Sequence, residues 1–130
     1  RANADRLRLP VTWLRGDLAG ALAPGSCDAV VSNPPYLTQG ELDRLDGSVR
    51  DWEPHEALVS GADGLEAIRR LVREAHLAVV PGGLLALEVD SSRAADVAAL
   101  ARRSGWTDVA VMEDLFGRDR FVTARREAKS

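Results

Sequence analysis

Short apolar runs on either side of one amphipathic stretch are the feature that most constrains the fold of this chain. Residues 27–33 (CDAVVSN) and 84–89 (LLALEV) are apolar enough to be strands buried on both faces. Between them, residues 63–79 carry apolar side chains at helical spacing, with Asp63 as the expected N-cap and residues 81–83 (PGG) as the stop. Strand, helix and strand in this order predict an α/β domain with a mainly parallel sheet.

Further strands are predicted on both sides of this unit. The segments rich in β-branched and aromatic residues are 11–18, 108–114 and 118–126. The last two are joined through a turn at Phe116-Gly117 with no helix between them, so we expect them to pair antiparallel. The sheet is therefore predicted to be mainly parallel with an antiparallel last strand.

Two more helical stretches and one long loop complete the pattern. Residues 1–9 have the pattern of the end of a helix, and a second helix, capped by Ser91 or Ser92, is predicted to end at Gly105. Residues 37–62 are polar and contain several glycines, which indicates a loop with one helical turn near its start. A loop of this length in a small domain is usually functional.

Composition excludes several classes of protein. The 130 residues suit a single domain, residues 1–130, and their formal net charge of −3 argues against a protein that mainly grips nucleic acid. We expect a cytoplasmic protein without a membrane partner, because no apolar run approaches the ~20 residues of a membrane span and no signal peptide is evident. Cys27 is the single cysteine, and the two histidines have no metal-ligand spacing, so no metal is expected.

The strand at 27–33 runs directly into four residues that suit a binding site, Asn33, Pro34, Pro35 and Tyr36, here called the NPPY segment. Ligands of open α/β sheets bind beyond the carboxyl ends of the strands. The Asn33 amide offers one acceptor and two donors, the prolines offer carbonyls on a stiff backbone, and the Tyr36 ring can lie against a planar group. Asn33 Oδ1 and the Pro34 carbonyl would hold a planar –NH₂ group for attack on an electrophile.

The NPPY segment resembles the motif of S-adenosylmethionine-dependent methyltransferases that act on planar amino groups. Three further segments indicate one family within this class: residues 53–71, 81–89 and 114–122. With them the chain resembles, over nearly all of its length, the protein-(glutamine-N5) methyltransferases of peptide chain release factors, the HemK/PrmC family. The most specific parts of the match are residues 53–54, 63–65 and 117–120.

The resemblance implies a Rossmann-like methyltransferase fold and transfer of a methyl group from S-adenosyl-L-methionine to a glutamine side-chain amide of a release factor. It implies that the NPPY segment binds this amide, with Asn33, Pro34 and Tyr36 as the catalytic residues. Asn33 would also contact the cofactor beside its methyl group. Asp17 and Leu18 match the turn with which the family contacts the adenine.

The chain departs from the family pattern at several positions. Leu18 stands where relatives often have an aromatic residue, and Asp90 and Arg93 stand where they tend to have glycine and glutamine. We therefore assign no role to Asp90, Arg93 or the neighbouring Glu88. No Gly-x-Gly sequence occurs, although the family holds the methionine part of the cofactor on a glycine-rich turn.

The missing glycine-rich turn, together with the missing acidic residue with which the family holds the ribose, predicts that the chain is the C-terminal portion of a methyltransferase catalytic domain and lacks the first two strands of that domain. Such a portion is expected to be inactive by itself and to bind the cofactor weakly, which isothermal titration would test. It is also expected to self-associate through an uncovered sheet edge and apolar strand face.

Two other functions stay open at this point. A nucleic-acid methyltransferase acting on adenine could use the same segment, with Tyr36 stacked on a flipped base. Against it, residues 41–56 carry six acidic and two basic side chains, which would repel phosphates. A non-catalytic interaction domain without a cofactor site is the other alternative, and a glycine-rich turn encoded upstream of this chain would exclude it.

Overall fold

The computed structural model describes residues 2–44 and 60–128 of the chain. Its helices and strands, in chain order, are α1 Ala2–Arg6, β1 Cys27–Ser32, α2 Gln39–Leu42, α3 Glu66–Ala78, β2 Val79–Glu88, α4 Ala94–Arg103, β3 Trp106–Glu113 and β4 Asp119–Arg126. One turn of 3-10 helix, Ser91–Arg93, precedes α4. Most of the predicted acidic loop, including Glu53-Pro54, lies outside the described residues.

The four strands form one mixed sheet in the order β1-β2-β4-β3. β1 and β2 pair in parallel, and β4 pairs antiparallel with β2 and with β3. The predicted α/β fold with an antiparallel last strand is therefore confirmed. Because β1, β2 and β3 point in the same direction, their carboxyl ends lie at one edge of the sheet, here called the carboxyl edge.

The core lies between one face of this sheet and helices α3 and α4. The fully buried larger side chains come from both layers: Ile68 and Val72 of α3, Val79, Leu85 and Leu87 of β2, Val89, Val97 of α4 and Val122 of β4. Removing these apolar surfaces from water is the main force that holds the helices on the sheet.

The other face of the sheet is open, so the prediction that the strands at 27–33 and 84–89 are buried on both faces is wrong. Side chains of β1 and β2 alternate between the two faces, and Val31 is 77% exposed while Leu85 and Leu87 are buried. In the described part of the chain the side chains of this second face are exposed or half-buried. We call it the open face; its exposed large apolar side chains are Val31, Met112 and Phe121.

The strand predicted at 11–18 does not form. Residues 11–16 have no regular structure and residues 17–20 make a turn, with Val11, Trp13 and Leu14 at least 44% exposed. The physical reason is the lack of a partner, since an isolated strand leaves its N–H and C=O groups without a ladder and none of the described strands pairs with this segment.

Helix starts differ slightly from the predicted ones. Helix α3 begins at Glu66, and the Asp63 carboxylate accepts a hydrogen bond from the Leu65 N–H at 3.0 Å within the preceding turn. The 3-10 turn before α4 is capped by Asp90, which accepts from the Ser92 N–H at 2.9 Å, so an aspartate and not a serine is the cap. Of the helices in residues 2–44 and 60–128, none has the length and apolar character needed to cross a bilayer.

Candidate functional site

The NPPY segment follows β1 directly at the carboxyl edge. The Asn33 side chain is exposed, and no described residue forms a hydrogen bond with it. Pro34 is buried, Pro35 is half-buried, and the half-buried Tyr36 ring packs against the core. The arrangement thus combines a free amide group with a backbone anchored on both sides of it.

A cavity of about 250 Å³ opens beside the Asn33 side chain. The polar side chain opposite Asn33 is that of Glu88, the last residue of β2, and Val31, Ala86 and Phe121 of the open face make the apolar lining. No described residue pairs with the Glu88 carboxylate. The cavity therefore offers an amide and a carboxylate beside a surface on which an apolar group can rest.

Glu88 has no role predicted from the sequence, although its position at a strand end is a signal for one. Ser32 and Glu88 end two strands that pair in parallel, with Ser32 opposite Leu87. The carboxyl ends of a parallel pair of strands lie at the same edge of the sheet. The Glu88 carboxylate at the end of the second strand is therefore expected to lie near Asn33, which directly follows the first strand.

A larger cavity of about 520 Å³ lies between α3 and α4, and no residue of the NPPY segment lines it. Its lining includes Arg69, Arg93 and Arg103 together with Asp63. Arg69 forms an ion pair with Asp63, and Arg93 pairs with Glu41, so two of its three cations are already engaged. We do not assign the amide-binding site to it, because it contains no strand end and no free amide.

The turn predicted to contact adenine lies against the outer side of α3. The Asp17 carboxylate accepts from Arg70 Nη2 at 2.9 Å, and Glu74 Oε2 accepts from the Ala19 N–H at 3.1 Å. Leu18, between them, has a φ of +52°, which is uncommon for a residue with a Cβ. Neither Asp17 nor Leu18 lines the cavity beside Asn33, so their contact with the cofactor stays a prediction.

Arg93 and Asp90, the two departures from the family pattern, have defined contacts. Arg93 Nη2 donates to both carboxylate oxygens of Glu41, at 2.8 and 2.6 Å. This hydrogen bond, followed by one from the Thr38 N–H, lowers the pKa of Glu41 to about 2. Asp90 caps the turn before α4, and the Ser92 hydroxyl that donates to it lowers the pKa of its carboxyl.

The predicted motif at 117–120 forms the turn between β3 and β4 at the same edge of the sheet. Asp114 organises this turn by accepting from the backbone N–H groups of Phe116 and Arg118, at 2.8 and 3.1 Å. Its carboxylate also pairs with the Arg118 guanidinium at 3.0 Å, and Arg120 Nη1 donates to the Val89 carbonyl at 3.4 Å. The motif therefore fixes the hairpin beside the end of β2.

No metal centre is found in the described ranges. Within residues 2–44 and 60–128, no three or more His, Cys, Asp or Glu side chains are arranged to hold a metal ion.

Comparison with known proteins gives one consistent group of relatives. No family model matches the sequence. The chain is 44% identical over 126 residues to a release factor glutamine methyltransferase from Cereibacter sphaeroides and 45% identical over 126 residues to one from Deinococcus radiodurans. These alignments cover 96% and 97% of this chain but 43% and 44% of the relatives, so the chain spans less than half the length of the curated relatives it matches.

Solved structures share the fold at lower identity. A methyltransferase from Pyrococcus furiosus superposes with a TM-score of 0.67 at 18% identity, over 97% of this chain and 55% of that one. A protein from Thermus thermophilus, named as a candidate DNA modification methylase and solved with S-adenosyl-L-methionine, gives 0.51 at 18% identity, over 85% and 50% of the two chains. Identities this low establish the Rossmann-like methyltransferase fold alone.

Proposed function

The chain belongs to the release factor glutamine methyltransferase family, and from this premise we propose that it is the amide-binding part of such an enzyme. The enzyme would transfer a methyl group from S-adenosyl-L-methionine to the side-chain amide nitrogen of a glutamine in a peptide chain release factor. The chain would be the C-terminal portion of the catalytic domain. The reaction would take place in the cytoplasm, where release factors act during translation.

The observation that carries this proposal is the free Asn33 amide at the carboxyl edge. It is exposed, it has no described partner, and the buried Pro34 holds the backbone beside it in place. A polar group that is fixed in position but not engaged is ready to bind a ligand without reorganisation. The apolar lining from Val31, Ala86 and Phe121 suits the methylene groups of a glutamine side chain.

The proposed chemistry needs positioning more than proton transfer. Asn33 Oδ1 and the Pro34 carbonyl would each accept a hydrogen bond from one N–H of the substrate –NH₂ group, and Tyr36 would lie along the planar amide. Two acceptors that bind both N–H groups fix the nitrogen, and by drawing it towards tetrahedral geometry they would weaken its conjugation with the substrate carbonyl and free its lone pair for attack. No described histidine or cysteine lines the cavity, which agrees with a reaction that starts without a strong base.

S-Adenosyl-L-methionine, when bound, supplies an electrophilic methyl group on a positively charged sulfur. It would pass this methyl group to the amide nitrogen and would leave with the electron pair of its C–S bond. The methylated nitrogen then loses one proton to solvent. Asn33 is the residue that would lie beside this methyl group, and Asp17 and Leu18 would contact the adenine.

The residues present fit this cofactor in part. The Asn33 amide is free, and the Asp17 side chain is 75% exposed although Arg70 binds it from one side. An exposed carboxylate can still accept a hydrogen bond from the amino group of an adenine.

An adenine amino group presents the same two protons as a glutamine amide, so the test must distinguish the two substrates. The protein that carries this chain is incubated with methyl-labelled S-adenosyl-L-methionine, a purified release factor and a DNA oligonucleotide. We expect label on the release factor, lost when its target glutamine is changed. Label on the DNA would move the enzyme to adenine, and label on neither would favour a non-catalytic interaction domain.

Asn33→Ala should lower the rate of methyl transfer by orders of magnitude and leave folding almost intact, because the side chain is exposed. Asn3→Ala, which truncates another exposed asparagine in α1, is the matched control and should keep full activity. A near-normal rate for Asn33→Ala would contradict the role given to this amide.

A further inference from the structure

One ion pair joins two parts of the chain that are 52 residues apart in sequence. Arg93 closes the 3-10 turn before α4, and Glu41 lies in α2, just after the NPPY segment. The guanidinium donates to both carboxylate oxygens, at 2.8 and 2.6 Å, and the Arg93 side chain is only 12% exposed. The Glu41 side chain is 39% exposed, so solvent reaches the pair from one side only, and a charged hydrogen bond with one partner buried is stronger than an ordinary surface pair.

Glu41 also forms hydrogen bonds with Thr38, two residues after Tyr36. Its carboxylate accepts from the Thr38 N–H at 2.7 Å and from the Thr38 hydroxyl at 2.9 Å. The Glu41 N–H donates in return to the Thr38 hydroxyl oxygen at 3.2 Å. This reciprocal arrangement is a capping box, and it fixes the start of α2 two residues after Tyr36.

The turn at 60–64, before α3, packs against the backbone of Tyr36 and Leu37. Gly64 is buried with a φ of +72°, and a Cβ at this position would overlap the Tyr36 carbonyl oxygen and lie 2.9 Å from Arg93 Nε. The Ser60 N–H also donates to the Leu37 carbonyl at 2.8 Å. The backbone that follows the NPPY segment is therefore held between Arg93, the capping box and the turn at 60–64.

We propose that Arg93 is a positioning residue for methyl transfer: by binding Glu41 it holds the NPPY segment where Asn33 and Pro34 can receive the substrate amide. Its consequence for catalysis rests on the proposed function, whereas its effect on the NPPY segment does not. In-line displacement is sensitive to placement, and a shift of about 1 Å in a positioning element can lower a rate by about a hundredfold.

The first test follows the NPPY segment directly. Tyr36 is the single tyrosine of the chain, so incorporation of 3-fluorotyrosine gives one ¹⁹F resonance that reports on this segment. We expect Arg93→Gln to shift or broaden this resonance, Glu41→Gln to do the same, and the double variant to add nothing further. Arg125→Gln is the matched control, because Arg125 donates to the Gly82 carbonyl, at the amino end of the strands.

The second test measures catalysis in the protein that carries this chain. Arg93→Gln should lower kcat by about tenfold to a hundredfold while KM changes less, because the defect lies in orientation. Arg93→Lys keeps the charge but loses the two-oxygen contact, and should give an intermediate rate. If Arg93→Gln fails to fold, the ¹⁹F resonance and the kinetic constants are measured on Arg93→Lys and Glu41→Gln instead.

The proposal would be overturned by an unchanged ¹⁹F resonance in Arg93→Gln, or by a changed resonance with unchanged kcat on the substrate that the enzyme methylates. The ¹⁹F measurement needs no substrate. A change of substrate from glutamine to adenine would therefore refute the proposed function and leave the positioning role standing.

Discussion

Among the described groups of the site, the Glu41 carboxyl has the most strongly shifted pKa. The Arg93 guanidinium, and then the Thr38 N–H, lower its pKa from 4.5 to about 2. Asp90 is the other charged group at this pair, with Oδ1 3.9 Å from Arg93 Nη1. Because the pKa is lower in the folded chain, ionised Glu41 contributes stability above pH 4.5, and this contribution is lost as the pH falls towards 2.

We therefore expect the Glu41 carboxyl, followed by ¹³C NMR, to titrate well below pH 4.5 in the native chain. Arg93→Gln removes the largest cause of the shift and should move the midpoint back towards the ordinary value. Arg125→Gln should leave it in place. A Glu41 midpoint near 4.5 in the native chain would mean that the pair with Arg93 does not form in solution.

The site residues that follow from one local pattern could be predicted from the sequence. Those whose role depends on contacts between distant segments could not. Asn33 and its prolines stand directly after an apolar run, so their place at a strand end could be inferred. Arg93 meets Glu41 across 52 residues, and no spacing in the sequence indicates such a pair. Glu88 faces Asn33 only because two strands pair in a particular register.

At the scale of elements, the turn before α3 depends on Gly64. Gly64→Ala would place a Cβ against the Tyr36 carbonyl oxygen and Arg93, in a backbone conformation with φ of +72°. Gly82→Ala has the same backbone penalty at φ of +81°, but its Cβ would meet nothing within 4 Å. The pair of variants therefore separates crowding from backbone strain.

We expect Gly82→Ala to lower the free energy of unfolding by about 1 kcal/mol. Gly64→Ala should lower it by a further ~1–3 kcal/mol, because the site is closely packed. Urea denaturation followed by circular dichroism measures both values. Equal losses for the two variants would show that the turn at 60–64 does not pack against the NPPY segment.

Elements with their own periodicity were the ones that could be predicted. Helix α3 has its apolar face where the spacing indicated, with Ile68, Leu71 and Val72 buried. The segment at 11–18 has the composition of a strand, but strand formation needs a neighbour and composition cannot supply one. Continuous apolar runs likewise could not reveal that helices cover only one face of this sheet.

At the scale of the whole molecule, the open face is an exposed apolar surface of the described chain. Val31, Met112 and Phe121 are 77%, 53% and 37% exposed, and β1 is a sheet edge beside them. We expect the isolated chain to self-associate through this surface, since an unpaired edge and an apolar patch both favour contact with a second copy.

Light scattering on the isolated chain over a range of concentrations tests this expectation. Val31→Lys should shift the chain towards monomer by placing a charge on the open face. Leu77→Lys adds the same charge at another exposed apolar residue, 61% exposed on α3, and should not change the mass. A monomer at all concentrations in the native chain would refute self-association.

The place of β4 in the sheet has a consequence for how the protein is made. β4 is the last strand in sequence, yet it lies between β2 and β3 and provides the pairing on both sides. During synthesis, β3 therefore leaves the ribosome with no neighbour to pair with until the residues of β4 follow. A premature stop in the coding sequence of β4 would remove the middle of the sheet and not its margin, and the carboxyl edge that carries Asn33 would lose its support.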